Sequence, residues 1–82
     1  MTKEIVYELV TAVFRDVFDD ESIKLTDDTT ANDIEEWDSL EHINLIVAIE
    51  EAFGMKFTMG EVTGMQNVGE MVNILIERAT KL

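Results

Sequence analysis

The 82 residues carry 18 acidic against 6 basic side chains, a formal net charge of -12, and such a field repels phosphate backbones and anionic lipid surfaces. Nucleic acid and membranes are thereby excluded as partners, and basic protein surfaces are the expected ones. Cysteine is missing altogether, which removes disulfide frameworks, thiolate zinc sites and cysteine nucleophiles together and suits a reducing compartment.

The start, Met1 to Glu4, has no basic segment followed by an apolar run, and no stretch approaches the roughly 20 apolar residues of a membrane span. A soluble, cytoplasmic protein is expected. An apolar share of 46% is enough for one thin core, so residues 1–82 are read as a single domain. From Lys3 to Phe18 the apolar residues fall in adjacent pairs four apart: Ile5 and Val6, Leu9 and Val10, Val13 and Phe14, Val17 and Phe18. That is one face of a helix, with Thr2 as its N-cap. The stretch from Asp19 to Trp37 has no periodicity and is crowded with Asp, Glu and Thr. It reads as a long loop pinned by Ile23, Leu25, Ile34 and Trp37, with room for a short helical turn.

A second helix is predicted to start sharply after Asp38, which caps it while Glu41 reaches back from the third helical position. Its interior, Leu40, Ile43, Leu45, Ile46, Val47, Ala48, Ile49 and Phe53, is apolar nearly all round between Leu45 and Ile49. Such a helix is expected to be largely buried or to line a cavity. Gly54 sits where a left-handed terminating residue belongs. Thr58 paired with Glu61 opens a short helical turn that ends at Gly64. Asn67 paired with Glu70 opens a last helix, expected to bury Val68, Met71, Val72, Leu75, Ile76 and Ala79. No strand alternation appears and proline is absent. The fold class is all-α: a bundle of three main helices, a short third helix, and a long loop between the first two.

The segment Trp37-Asp38-Ser39-Leu40 places a small hydroxyl in the first turn of a helix, just after a mobile rim and beside a capping carboxylate. By position alone Ser39 is an ordinary serine at a helix start. Were the hydroxyl esterified by a phosphodiester, the open N–H groups and the positive end of the helix dipole would favour the added charge. His42 lies one turn further on, but no oxyanion donors and no orienting partner accompany it, so hydrolase chemistry is not expected. His42 is read instead as a surface residue that meets a tether or a partner. The loop acids lack the glycine and terminal glutamate of an EF-hand, and no metal site is predicted.

Asp38, Ser39 and Leu40, the apolar helix after them, Glu50 and Glu51, and Phe53 with Gly54 together resemble the acyl carrier protein family. The resemblance extends over almost the whole chain. It implies a carrier, not an enzyme, in which 4'-phosphopantetheine donated by coenzyme A is attached to Ser39 by a phosphopantetheinyl transferase, with Asp38 and Leu40 flanking the site. The carrier would hold an acyl or aminoacyl group as a thioester and present it to enzymes of a polyketide, nonribosomal-peptide, surface-polysaccharide or fatty-acid pathway. Glu41, Glu50 and Glu51 are the implied docking residues for loading and transferring enzymes with basic surfaces. Asn44 and Trp37 depart from housekeeping fatty-acid carriers and resemble specialised free-standing ones. Trp37 is expected to pack the loop onto the bundle. The resemblance also implies that acyl chains can enter between the helices of such bundles, to which a thin core rich in Met55, Met59, Met65 and Met71 could yield, although ordinary core packing explains most of the apolar run from Leu45 to Ile49. With charge this high and no spare apolar face in view, a monomer is expected. The competing reading is an acidic helical interaction module of the same fold without a prosthetic group.

Overall fold

The computed structural model describes residues 2–79. Four α-helices follow one another: α1 (Lys3–Val17), α2 (Ser39–Phe53), α3 (Met59–Gly64) and α4 (Val68–Arg78), with a 3-10 turn at Ala31–Asp33 inside the long first loop. Among the described residues there is no strand.

Each helix begins where a local cap dictates. Thr2 Oγ1 accepts from the Ile5 N–H at 3.2 Å and Asp38 Oδ1 from the Glu41 N–H at 2.8 Å. Asn67 Oδ1 does the same for Glu70 at 2.9 Å. Of the four α-helices α3 alone closes the full reciprocal box, as Thr30 and Asp33 do for the 3-10 turn: Thr58 Oγ1 accepts from the Glu61 N–H, and the Glu61 carboxylate accepts from the Thr58 N–H. The expected back-reach of Glu41 is not made, because its carboxylate accepts from Asn44 Nδ2 at 2.9 Å instead. Glu70 likewise reaches past the cap residue to the Gln66 N–H at 2.8 Å.

The two long helices α1 and α2 end on left-handed residues, whereas α3 and α4 run out into extended backbone at Met65 and Ala79. Gly54 takes φ 65°, and both its N–H and that of Met55 turn back to the Glu50 carbonyl. Behind α1 the same job falls to Asp19, at φ 50°. The Asp19 N–H reaches the Asp16 carbonyl and the Asp20 N–H the Arg15 carbonyl, the crossed pair of a Schellman ending.

The core is one cluster. Val6, Val10 and Phe14 from α1 meet Leu45, Ile46, Ile49 and Phe53 from α2 and Val68, Met71, Val72 and Leu75 from α4. Of the long loop, Phe18, Ile23 and Ile34 are buried with them, while Leu25 and Trp37 pack against its edge. No residue of α3 is buried. Burial separates the two faces of α2 that composition had merged: Leu40, Ile43 and Val47 are 70%, 53% and 48% exposed. Ile76, expected inside, is also exposed. Nor is the core rich in methionine, since Met71 alone is buried, Met55 and Met65 pack at its edge and Met59 faces water.

The loop is tied to α4 through backbone. The Val68 N–H donates to the Thr29 carbonyl at 2.9 Å and the Gly69 N–H to the Asp27 carbonyl at 3.0 Å, so loop carbonyls satisfy amides that a helix start leaves open. The approach is too close for a side chain: a Cβ at Gly69 would lie 2.9 Å from the Asp27 carbonyl oxygen. Asp27 is held from α1 as well, by the Tyr7 hydroxyl and by Lys3 Nζ at 3.0 Å. These hydrogen bonds, that of Tyr7 foremost, keep the Asp27 carboxyl below the usual carboxylate range.

Candidate functional site

Ser39 is the first residue of α2 and is exposed. The Asp38 cap determines where the helix starts, and therefore puts the Ser39 hydroxyl on the open end of the bundle. Asp38 and Leu40 flank it, both exposed. The first turn carries helix-end amides without intrahelical partners, an environment that favours a phosphodiester over the neutral hydroxyl. Beside Ser39 opens a cleft of about 610 Å³, bounded by Trp37 and His42 on one side and by Val62, Met65 and Asn67 on the other, with Met71 at its floor. An exposed hydroxyl, a positive helix end and a mostly apolar cleft together fit a phosphate-linked pantetheine arm.

His42 is half-buried in the wall of the cleft, and both of its ring nitrogens have partners. Its Nδ1 accepts from Trp37 Nε1 at 3.0 Å, and its Nε2 meets the Val62 carbonyl at 3.2 Å. With both ring nitrogens engaged, it is not a base for the Ser39 hydroxyl. Trp37 does pack the loop onto the bundle, edge-on to Phe14 with ring centroids 5.2 Å apart.

The three glutamates assigned to docking have different surroundings. Glu51 is exposed. Glu41 is half-buried against Asn44. Glu50 is turned inward: its carboxylate accepts from the Phe57 N–H at 2.8 Å, with Lys56 Nζ at 3.9 Å, and the side chain is only 13% exposed. It braces the turn between α2 and α3. Two features of this region escaped sequence reasoning. One is the exposed stripe of Leu40, Ile43 and Val47, which contradicts the expectation of no spare apolar face; its spacing of three and four was visible, but an apolar run on every side hid it. The other is Arg78, which donates to the Glu61 carboxylate and, at 2.6 Å, to the Lys56 carbonyl, and so suspends α3 from the end of α4. The Arg78 guanidinium and the Thr58 N–H hold the Glu61 carboxyl below its ordinary range.

The bundle thus presents an exposed serine at a helix start capped by Asp38, beside a mostly apolar cleft. The chain matches the model of the phosphopantetheine attachment site over residues 8–75, and it belongs to that family. It is similar to the solution NMR structure of a holo acyl carrier protein from Geobacter metallireducens, with 46% identity over 88% of this chain and 83% of that one and a TM-score of 0.83. A search of curated proteins gives no match. The fold is that of acyl carrier proteins, the prosthetic group is 4'-phosphopantetheine, and the protein is a carrier and not an enzyme.

Proposed function

We propose that Ser39 is the attachment residue and that residues 1–82 act as one carrier unit, presenting an acyl or aminoacyl group to enzymes of a cytoplasmic biosynthetic pathway. The observation that carries this reading is the exposure of Ser39 at the capped start of α2, beside the cleft. In the loading step the Ser39 hydroxyl oxygen bonds to the phosphorus of coenzyme A that bears the pantetheine. The adenosine bisphosphate half departs, and the transferase takes the hydroxyl proton. No base within the carrier is required, in keeping with the engagement of His42 by Trp37 and Val62. The terminal thiol of the attached group holds the cargo as a thioester, an activated acyl donor, and its length raises the cargo's effective concentration at each docked enzyme.

Docking falls to the outward face of α2 in this reading. Glu41 and Glu51 steer basic surfaces, while Leu40, Ile43 and Val47 supply short-range apolar contact. Glu50 is left out of the docking set because its carboxylate braces the turn.

Intact mass after incubation with coenzyme A and a broad-specificity transferase tests the attachment. A gain of one phosphopantetheine is expected, and none in Ser39→Ala, whose melting temperature stays unchanged because the side chain is exposed. A gain that persists in Ser39→Ala refutes the assignment. Charge reversal tests docking: Glu41→Lys and Glu51→Lys are each expected to weaken transferase binding by about 0.5–1 kcal/mol at low salt, with the difference fading as salt rises. Surface plasmon resonance across a salt series reads this directly.

A further inference from the structure

The group formed by Trp37, His42 and Val62 stands between the cleft at Ser39 and the packed interior. An indole nitrogen donates only, so the 3.0 Å contact makes His42 Nδ1 the acceptor. Nε2 then carries the ring hydrogen and donates to the Val62 carbonyl at 3.2 Å. A single neutral tautomer thus satisfies both partners and ties the long loop, α2 and α3 together. The aromatic side of the same group is filled. Trp37 is edge-on to Phe14, tilted against Phe18 at 6.4 Å and stacked with His42 at 5.9 Å.

Trp37, His42 and Val62 wall the cleft, which touches the packed interior at Met71 and goes no deeper. Of its lining residues only Met71 belongs to the buried core. Leu45, Ile49, Phe53 and Leu75 have no exposed surface and do not line it. A linear chain that passes inward between the long loop, α2 and α3 separates α3 from α2 or Trp37 from Phe14. Either movement breaks a hydrogen bond of His42 and strands a polar atom next to apolar surface.

We propose that this clasp is a specificity device: closed, it shuts the bundle to a linear acyl chain tethered at Ser39, so that cargo rides at the rim. The cargo class it suits is short or polar acyl and aminoacyl groups, which gain nothing from apolar shelter. The proposal rests on attachment at Ser39, and its test separates the two. Octanoyl coenzyme A and a broad-specificity transferase load the chain, and the intact mass reports attachment before the clasp is read. Methyl NMR then compares the pantetheinyl and octanoyl forms of the unsubstituted chain, His42→Ala and His42→Gln. The Ile49 and Leu75 methyl shifts, both from outside the cleft, are expected not to respond to the octanoyl group in the unsubstituted chain. The same holds for His42→Gln, whose amide accepts from Trp37 and donates to Val62. In His42→Ala those shifts move, and hydroxylamine cleaves the thioester about threefold more slowly, as when some two thirds of the chains lie inside.

Equal octanoyl-dependent shifts in the unsubstituted chain overturn the proposal, as does their absence in a folded His42→Ala. Should His42→Ala lose its helical circular dichroism, Trp37→Phe takes its place under the same expectations, since it removes the donor and retains a ring. If no mass is gained, the attachment reading fails alone, and the unloaded chain decides the clasp. Nile red, neutral and so not repelled by the acidic surface, is expected to bind His42→Ala several-fold more tightly than the unsubstituted chain. Equal binding overturns the clasp.

Discussion

The two faces of α2 use the same kinds of residue for opposite ends. Leu45, Ile46, Ile49 and Phe53 are buried against α1 and α4, whereas Leu40, Ile43 and Val47, equally apolar, stand in water. Hydrophobicity therefore does not say which face holds the fold and which is free for function; the neighbours do. A helix that is apolar all round in a small acidic protein is better read as two surfaces than as one buried rod.

Breaking the comparison is the most direct test. Ile49→Ala empties a fully buried site and is expected to cost about 2–5 kcal/mol. Val47→Ala removes an outward side chain and is expected to change stability by less than about 0.5 kcal/mol while weakening partner binding. Urea titration reads the first effect and binding isotherms the second; comparable losses of stability would erase the distinction.

A smaller effect belongs at the point where the loop leans on α4. Gly69→Ala forces the Asp27 backbone to move, and about 1–3 kcal/mol of overpacking is set against the helix preference of alanine, worth about 1 kcal/mol. A net loss in thermal stability is expected, with hydrogen exchange quickening at Val68 and at residue 69. Unchanged exchange there would mean that the loop shifts without strain.

The smallest effect is a matter of pH. Asp27 and Glu61 have folded-state pKa values held below their ordinary ones, by Tyr7 and Lys3 and by Arg78 respectively. Between the folded and unfolded values the unfolded chain binds more protons, so stability rises with pH. Their contribution is complete above the ordinary carboxylate range and fades as pH falls through it toward the lowered values. Asp27→Asn is expected to flatten that dependence in pH-resolved thermal melts. A dependence as steep as in the unsubstituted chain would remove Asp27 from the account.

Much of the fold was legible because its signals are local. Thr2, Asp38 and Asn67 each mark a helix start through a contact three residues away, and Thr58 with Glu61 does so in both directions. Gly54 declared its left-handed turn. What escaped has partners remote in sequence: His42 is turned inward by Val62, 20 residues on, and Gly69 is small because Asp27 lies against it. Asp19 takes a turn that glycine would have announced. Ser39 itself was legible only in company, since by position it is an ordinary serine at a helix start, and Asp38, Leu40, Glu50, Glu51, Phe53 and Gly54 around it carry the resemblance.

One further consequence follows from where the scarce positive charges go. Of the 6 basic residues, Lys3, Arg15, Lys56 and Arg78 each bond within the molecule, to Asp27, to the Ile23 carbonyl, to Glu50, and to Glu61 with the Lys56 carbonyl. Each lies beside an acceptor of its own chain, and the net charge of -12 dominates the far field. An approaching basic protein is drawn in from about a Debye length, roughly 8 Å in physiological salt, with little guidance as to orientation. Discrimination is deferred to the last few ångströms, where shape and apolar fit at α2 take over, so capture and selection by this carrier are separate events governed by separate residues.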